Sequence, residues 1–403
     1  MIYIVTLIGI LICVAIFDFG RLKNPQLKNF CYTLLLVWLI CLSGFAYNVG
    51  ADIPVYMHQY SEIGRHSFRT WEDLSIYENR QPGWILLNII CSRIYSKFVL
   101  LQLVIAVFSN IVILNFIKKH TNYIFLGALI YFICSYLNFN FNSIRQTVAI
   151  AFFLIAYDYL VDKKWIKYYL FVFCAFMFHS TAVICALFPL FTFVKFNKTT
   201  IYITLVSIIV LAVLALLFNG AEMVSSFFLE NADFAGYFTD REQIVENYFG
   251  DNAMKYGGLN FFGIIFMFIT ALPIFLVIYS GAKKIVKMPN VSIVLIIFYL
   301  TLFVLDYVVP IVFMRFIMYL DILFYCYISN FALDYPKRIH VPSSLFAFAL
   351  LCLICFRPVN TLFSVNQSSG LVFYRQFYPY YSVLDPQIDP VRASYFGCYR
   401  DYK

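Results

Sequence analysis

The segment NFNFNSIRQ at 138–146 carries the side chains of this sequence that are best suited to binding an anion. It connects two apolar stretches, and Arg145 falls in the first turn of the second, with Asn142 or Ser143 as the expected N-cap. A helix N-terminus offers free backbone N–H groups and a partial positive charge, and a guanidinium adds two parallel donors. The pattern predicts a phosphate site. The alternative is that Arg145 only reaches lipid headgroups or pairs with a structural carboxylate.

A second arginine repeats this arrangement later in the chain. Pro310 interrupts the chain at the end of one apolar stretch, Arg315 opens the next, and Tyr319 follows one turn later on the same face. Asp306 and Asp321 are the nearest carboxylates. Two interpretations stay open: Arg315 binds a ligand, or it pairs with Asp306 and only joins two helices.

Two further side chains could transfer a proton. His179 lies where a long apolar stretch turns, so it is either a core residue bonded to Ser180 and Thr181 or a proton acceptor near a phosphate. Asp52 directly follows an apolar stretch. It either caps the helix that begins near Pro54, or acts as a general base or as a ligand of sugar hydroxyls.

The loop that begins at Asp52 ends with RQPGW at 80–84. Arg80 and Trp84 are candidate substrate-binding residues in this segment. The Trp84 ring has an apolar face that suits a sugar ring, but it suits equally the aromatic belt at a membrane surface.

Apolar helices must position these residues. Of the 403 residues 63% are hydrophobic and 12% are charged, and the mean hydropathy is +0.81. Soluble domains carry about 25% charged residues. The composition therefore predicts an all-α polytopic integral membrane protein. Most of the eleven cysteines lie inside apolar runs with no histidine cluster nearby, so we expect no disulfide framework, no metal site and no other cofactor.

About twelve membrane crossings are predicted, provided that the stretch 166–194 forms two short helices that meet near His179. A further short helix at 84–97 is expected at the membrane interface. The predicted spans are 2–19, 30–47, 98–117, 121–138, 143–161, 166–194 (two), 200–218, 260–280, 290–312, 315–332 and 343–357.

Every second short loop is basic, as at Lys118 and Lys119, and the positive-inside rule places those loops in the cytoplasm. The long loops 48–83 and 219–259 then face the periplasm and form part of the site. The predicted organisation is a transmembrane domain over 1–357 and a periplasmic C-terminal tail over 358–403.

The net charge of +8 does not indicate a nucleic-acid-binding protein, because the basic residues are spread over short loops between helices. The sequence contains no Gly-rich phosphate loop and no Asp-x-Asp pair that would hold a nucleotide sugar through a metal. A nucleotide-dependent reaction is therefore not expected.

Taken together, the ordered motifs resemble the EpsG family of Wzy-like O-antigen and exopolysaccharide polymerases, over roughly residues 1–335. The family usually has Glu before the P-G pair, where this chain has Gln81, so a role of that Glu would fall to Asp52, Glu78 or His179. The matching motifs are G-x-D (Gly50, Asp52), P-G-aromatic (Pro82, Gly83, Trp84), N-x-x-R-Q (Asn142, Arg145, Gln146), F-H-S (Phe178, His179, Ser180) and R-x-x-x-Y (Arg315, Tyr319).

The resemblance implies transfer of a growing glycan from undecaprenyl pyrophosphate onto a lipid-linked repeat unit, at the periplasmic face of a bacterial inner membrane. Arg145 and Arg315 would hold the pyrophosphate, and Asp52 or His179 would activate the acceptor. The resemblance also implies membrane lipid and a Wzz-type chain-length regulator as partners. Substrate contacts would come from Gln146, Tyr319, Arg80, Trp84 and Asn142.

Three alternatives belong to other classes of protein: a lipid-linked oligosaccharide flippase or transporter, an O-antigen ligase, and a membrane acyltransferase. A transporter often contains inverted repeats and needs access to both membrane faces. This sequence shows no internal repeat, and its candidate residues gather toward one predicted face. The two arginines favour phosphate chemistry over acyl transfer.

Overall fold

The structure is a computed structural model that describes residues 1–20, 22, 24–65, 81–194, 261–308, 312–365 and 370–395. The predicted span 200–218, the loop 219–259, Arg80, Glu78 and Pro310 lie outside the described residues. The helices in the described ranges are α1 Ile2–Phe19, α2 Pro25–Gly44, α3 Ile53–Arg65, α4 Pro82–Ile94, α5 Val99–His120, α6 Ile124–Tyr136, α7 Ile144–Val161, α8 Trp165–Phe176, α9 Ser180–Phe193, α10 Phe261–Ala282, α11 Asn290–Val308, α12 Val312–Ile339, α13 Ser343–Phe363 and α14 Pro390–Tyr395.

Eight of the described helices are long and apolar enough to cross a membrane: α1, α2, α5, α7 and α10 to α13. Four shorter apolar helices, α4, α6, α8 and α9, accompany them. The predicted all-α membrane fold is confirmed on this basis. The count of about twelve crossings stays a prediction, because the stretch 200–218 is not among the described residues.

The stretch 166–194 forms two helices that are separated at 177–179. The Tyr168 hydroxyl in α8 donates to the Cys185 carbonyl in α9 at 2.5 Å, and Tyr169 donates to the Ala186 carbonyl at 3.3 Å. In each pair the partners are 17 residues apart, so α9 must fold back along α8. The two helices therefore meet near His179, as predicted.

Helix α12 lies at the centre of the described bundle. In its apolar segment 94% of the residues are buried, against 17% in α1 and 22% in α13. The outer helices therefore turn most of their apolar surface to the surroundings, as lipid-facing helices do. The central helix carries Arg315 in its first turn and Tyr319 and Asp321 on buried faces.

The C-terminal segment packs over the end of the bundle where α2 ends and α7 begins. The Tyr47 N–H donates to the Tyr381 carbonyl at 2.9 Å, and the Tyr380 hydroxyl donates to the Leu42 carbonyl at 3.1 Å. Helix α13 continues to Phe363, beyond the predicted end of that span at 357. The segment 370–395 is therefore part of the packed structure.

Arg392 holds this segment in place. Its side chain is 1% exposed and donates to the carbonyls of Asn48 (2.5 Å), Arg375 (3.4 Å) and Pro379. A buried guanidinium requires such acceptors, because its loss of hydration is otherwise uncompensated.

Replacing Arg392 with Ala should release the segment 370–395, because several buried carbonyls lose their donor at a cost on the order of 3 kcal/mol. We expect a lower melting temperature of the protein in detergent and faster tryptic cleavage at Arg375, which lies in this segment. Gln387→Ala, which removes an exposed side chain in the same segment, is the matched control. Equal melting and cleavage in the two variants would contradict this role of Arg392.

Candidate functional site

The start of α7 brings three parts of the chain together. Ser143 is the N-cap residue, and its side chain makes no capping hydrogen bond. Asn142 instead accepts a hydrogen bond from the Ala51 N–H at 2.7 Å and donates to Gln376 Oε1 at 3.0 Å. It therefore connects the loop before α3, the start of α7 and the C-terminal segment.

Arg145 lies in the first turn of α7, and its hydrogen-bond partners among the described residues are neutral. Its Nη1 donates to Gln81 Oε1 at 3.1 Å, and its Nε donates to the Tyr56 hydroxyl at 3.3 Å. The guanidinium also lies 5.6 Å from the centre of the Tyr56 ring. Among the described residues no carboxylate forms an ion pair with Arg145, so the predicted pairing with a structural carboxylate is not found there.

Arg315, in the first turn of α12, is tied directly to the neighbour of Arg145. Gln146 Nε2 donates to the Arg315 carbonyl at 2.5 Å, and Arg315 Nη1 donates to Gln146 Oε1 at 3.2 Å. Gln146 is fully buried, so α7 and α12 are fixed to each other at this point. The two arginines consequently lie at the same end of the bundle.

The interpretation that Arg315 pairs with Asp306 is wrong. Asp306 forms its ion pair with Arg357 of α13 instead. Arg315 makes no ion pair with any carboxylate in the part of the chain that the structure describes. In the described structure, the guanidiniums of Arg145 and Arg315 therefore donate to amide and hydroxyl oxygens.

His179 lies in the turn between α8 and α9, outside both helices. Its Nδ1 is 2.7 Å from Thr181 Oγ1, which is 3.3 Å from the hydroxyl of the buried Tyr319. Burial and then the positive charges of Arg315 and Arg145 lower the pKa of His179 well below its usual 6.5. The imidazole is therefore neutral at pH 7 and can accept a proton.

Two glycines permit the close contacts around the arginines. Gly50 has a φ of 108°, and a Cβ there would lie 2.0 Å from the Phe141 carbonyl oxygen. Gly83 donates its N–H to the Met177 carbonyl at 2.8 Å, and a Cβ there would lie 2.7 Å from the same oxygen. The start of α4 therefore rests on the turn that carries His179.

Asp52 and Trp84 occupy different surroundings. Asp52 directly precedes α3, accepts the Tyr56 N–H with its carbonyl at 3.1 Å, and lines a cavity. Trp84 is 1% exposed and packs edge-on against Tyr56 at 5.2 Å. In this arrangement the Trp84 ring supports Tyr56, and it is not among the residues that line the cavity.

The cavity has a volume of about 480 Å³ and is enclosed mainly by α6, α10 to α13 and the C-terminal segment. Arg315, Asp52 and Asn142 line it, whereas Arg145 and His179 do not. Arg357 and Gln376, which were not predicted from the sequence, also line it. An arginine followed by a proline in an apolar stretch was an available signal for Arg357, because a charge there is costly. Nothing local marked Gln376.

Comparison with known proteins gives one family. No curated protein and no solved structure matches the chain. The family model described as "EpsG family" matches residues 29–382, which is most of the chain and includes every motif quoted above. Proteins of this family resemble Wzy-type polysaccharide polymerases. The chain is a member of the EpsG family.

Proposed function

We propose that this protein polymerises a polysaccharide by transferring the growing glycan from undecaprenyl pyrophosphate to a lipid-linked repeat unit. An acceptor hydroxyl oxygen forms a bond to the anomeric carbon of the donor sugar. The bond from that carbon to the pyrophosphate oxygen breaks, the pyrophosphate leaves with the electron pair, and a base takes the hydroxyl proton.

The observation that carries this proposal is a pair of guanidiniums that form no ion pair with any of the described carboxylates. Arg145 and Arg315 lie in the first turns of α7 and α12 and are linked through Gln146. A diphosphate leaving group gains negative charge in the transition state, and fixed donors in a site of low dielectric stabilise that charge strongly. Neutral ligands around the arginines leave both positive charges available for this anion.

The proton acceptor in this proposal is His179 or Asp52. His179 is neutral at pH 7 because its pKa is lowered, so it can take a proton near two arginines. Asp52 lines the same cavity as Arg315 and offers a carboxylate as the alternative base.

The proposed orientation places this site at the periplasmic face of the inner membrane. Two lysine–carboxylate pairs mark the opposite ends of α7 and α12 from the two arginines. Lys119 in the last turn of α5 pairs with Asp158 near the end of α7, and Lys337 pairs with Asp334 near the end of α12. Arg145 opens α7 and Asp158 lies near its other end, so the basic loops and the site lie at opposite ends. The positive-inside rule then puts the site outside the cytoplasm.

Replacing Arg145 or Arg315 with Gln should lower the polymerisation rate at least about 100-fold, because a fixed charge that stabilises the leaving group is lost. Cells with either variant should accumulate single repeat units and lack long glycans on a glycan gel. A deleted flippase would leave no repeat unit outside the cytoplasm, and a deleted ligase would leave polymer on its carrier.

Arg338→Gln is the matched control, since Arg338 lies at the other end of α12 and donates only to carbonyls of the basic loop. It should produce full-length glycan. The proposal is refuted if Arg145→Gln and Arg315→Gln also do so at normal protein levels.

If His179 is the base, the ascending limb of kcat/KM against pH should lie below pH 6.5, because its lowered pKa keeps the imidazole unprotonated there. Gln81→Glu places a carboxylate beside Arg145 and weakens the positive field at His179. The pKa of His179 should then rise, and the limb should move to higher pH by about one unit.

Gln387→Glu adds the same charge at an exposed side chain of the C-terminal segment and should leave the pH of the limb unchanged. A limb that stays fixed in the Gln81→Glu variant would exclude His179 as the base and favour Asp52.

A further inference from the structure

The cavity continues beyond Arg315 into a region rich in carboxylates. Asp321 lies six residues after Arg315, which is about 9 Å further along α12. Its Oδ1 accepts the Tyr299 hydroxyl at 2.9 Å, and its Oδ2 is 3.5 Å from Ser135 Oγ. Asp306 and Arg357 line the same space as an ion pair. Three carboxylates, counting Asp52, and two guanidiniums therefore face one cavity.

These groups are unusually buried for charged side chains. Asp306 is 2% exposed and Asp321 is 8% exposed. Asp306 Oδ1 has no hydrogen-bond partner among the described residues. A buried carboxylate oxygen without a donor is unfavourable, so a donor that reaches it is stabilising.

The chemistry of the lining selects the class of ligand. An apolar lipid chain would leave the carboxylates without donors, and a phosphate would be repelled by Asp306 and Asp321. Sugar hydroxyls can both donate to carboxylates and accept from Arg357. Several aromatic side chains in the lining can pack against the apolar faces of a sugar ring: Tyr299, Phe303, Phe324, Phe373 and Phe377.

The position and size of the cavity indicate which part of the saccharide it can bind. Its volume of about 480 Å³ lies within the range of roughly 300–1,000 Å³ that is typical of small-ligand sites. A growing glycan could not be enclosed in such a volume, whereas the free end of a short repeat unit could. Arg315 lines one part of the cavity, so a sugar bound there would meet the donor at the pyrophosphate site.

We infer that this cavity binds the terminal sugar residues of the acceptor repeat unit, with Asp321, Asp306 and Arg357 bonded to its hydroxyls. This inference rests on the proposed function for the direction of the reaction. Binding of the sugar itself does not require the pyrophosphate, so the two claims can be tested separately.

The test measures binding of the free repeat-unit saccharide, released from its lipid by mild acid, to the purified full-length protein in lipid nanodiscs. The wild type should bind this phosphate-free probe in saturation-transfer-difference NMR. Asp321→Asn should weaken binding at least about tenfold, since a hydrogen bond from a sugar hydroxyl to the carboxyl group is lost. Asp162→Asn, at an exposed carboxylate in the α7–α8 loop, should bind as the wild type does.

Thr361→Trp provides a second variant that leaves the charged residues in place. Thr361 lines the cavity on the exposed side of α13, so an indole there should exclude the sugar without disturbing the fold. Size-exclusion profiles identify any variant that does not fold. If Asp321→Asn does not fold, saccharide binding by Thr361→Trp alone tests whether the cavity is the binding site.

The results separate the two claims. The inference is overturned if the wild type does not bind the saccharide. It is also overturned if Asp321→Asn and Thr361→Trp both fold and bind it normally. Loss of polymer in Arg145→Gln would not change either conclusion. If saccharide binding depends on Asp321 while Arg145→Gln and Arg315→Gln still make polymer, the cavity assignment holds and the proposed pyrophosphate site fails.

Discussion

A guanidinium is costly to hold at the end of an apolar bundle unless its donors are satisfied, and this chain holds two there without a described counter-ion. Gln81, Tyr56 and Gln146 supply neutral acceptors, which orient Arg145 and Arg315 without cancelling their charge. An ion pair with a carboxylate would have stabilised each arginine, but it would also have neutralised the positive charge of the guanidinium. The neutral acceptors thus preserve a positive field that an anionic ligand can use.

Several contacts of the described structure hold these two side chains at the same end of the bundle. Gln146 bonds both the backbone and the side chain of Arg315, so the register of α7 against α12 is fixed at the site. Gly83 lets α4 approach the turn at His179, and Gly50 does the same for the loop beside Phe141. These contacts assign a physical reason to Gln146, Gly83 and Gly50, each of which lies in one of the motifs quoted above.

The same contacts explain how far sequence reasoning reached. Apolar length and alternating basic loops predicted the helical membrane fold and the division of 166–194, because both depend on local composition. The helix-start position of Arg145 was equally local. The alternative that Arg315 pairs with Asp306 was wrong, since Arg315 is the nearest arginine in the sequence but Asp306 pairs with Arg357 of α13. Asn142 and Gln376 are 234 residues apart, and no local pattern could indicate that they bond.

Whether Arg145 and Arg315 together bind a diphosphate can be measured by equilibrium binding of undecaprenyl pyrophosphate and of undecaprenyl phosphate to the protein in nanodiscs. We expect the wild type to bind undecaprenyl pyrophosphate at least about tenfold more tightly than undecaprenyl phosphate, because the second phosphate forms additional charged hydrogen bonds. The variant with both arginines replaced by Gln should bind the two lipids alike. Equal affinity in the wild type, or a preference that survives the loss of both arginines, would contradict the account.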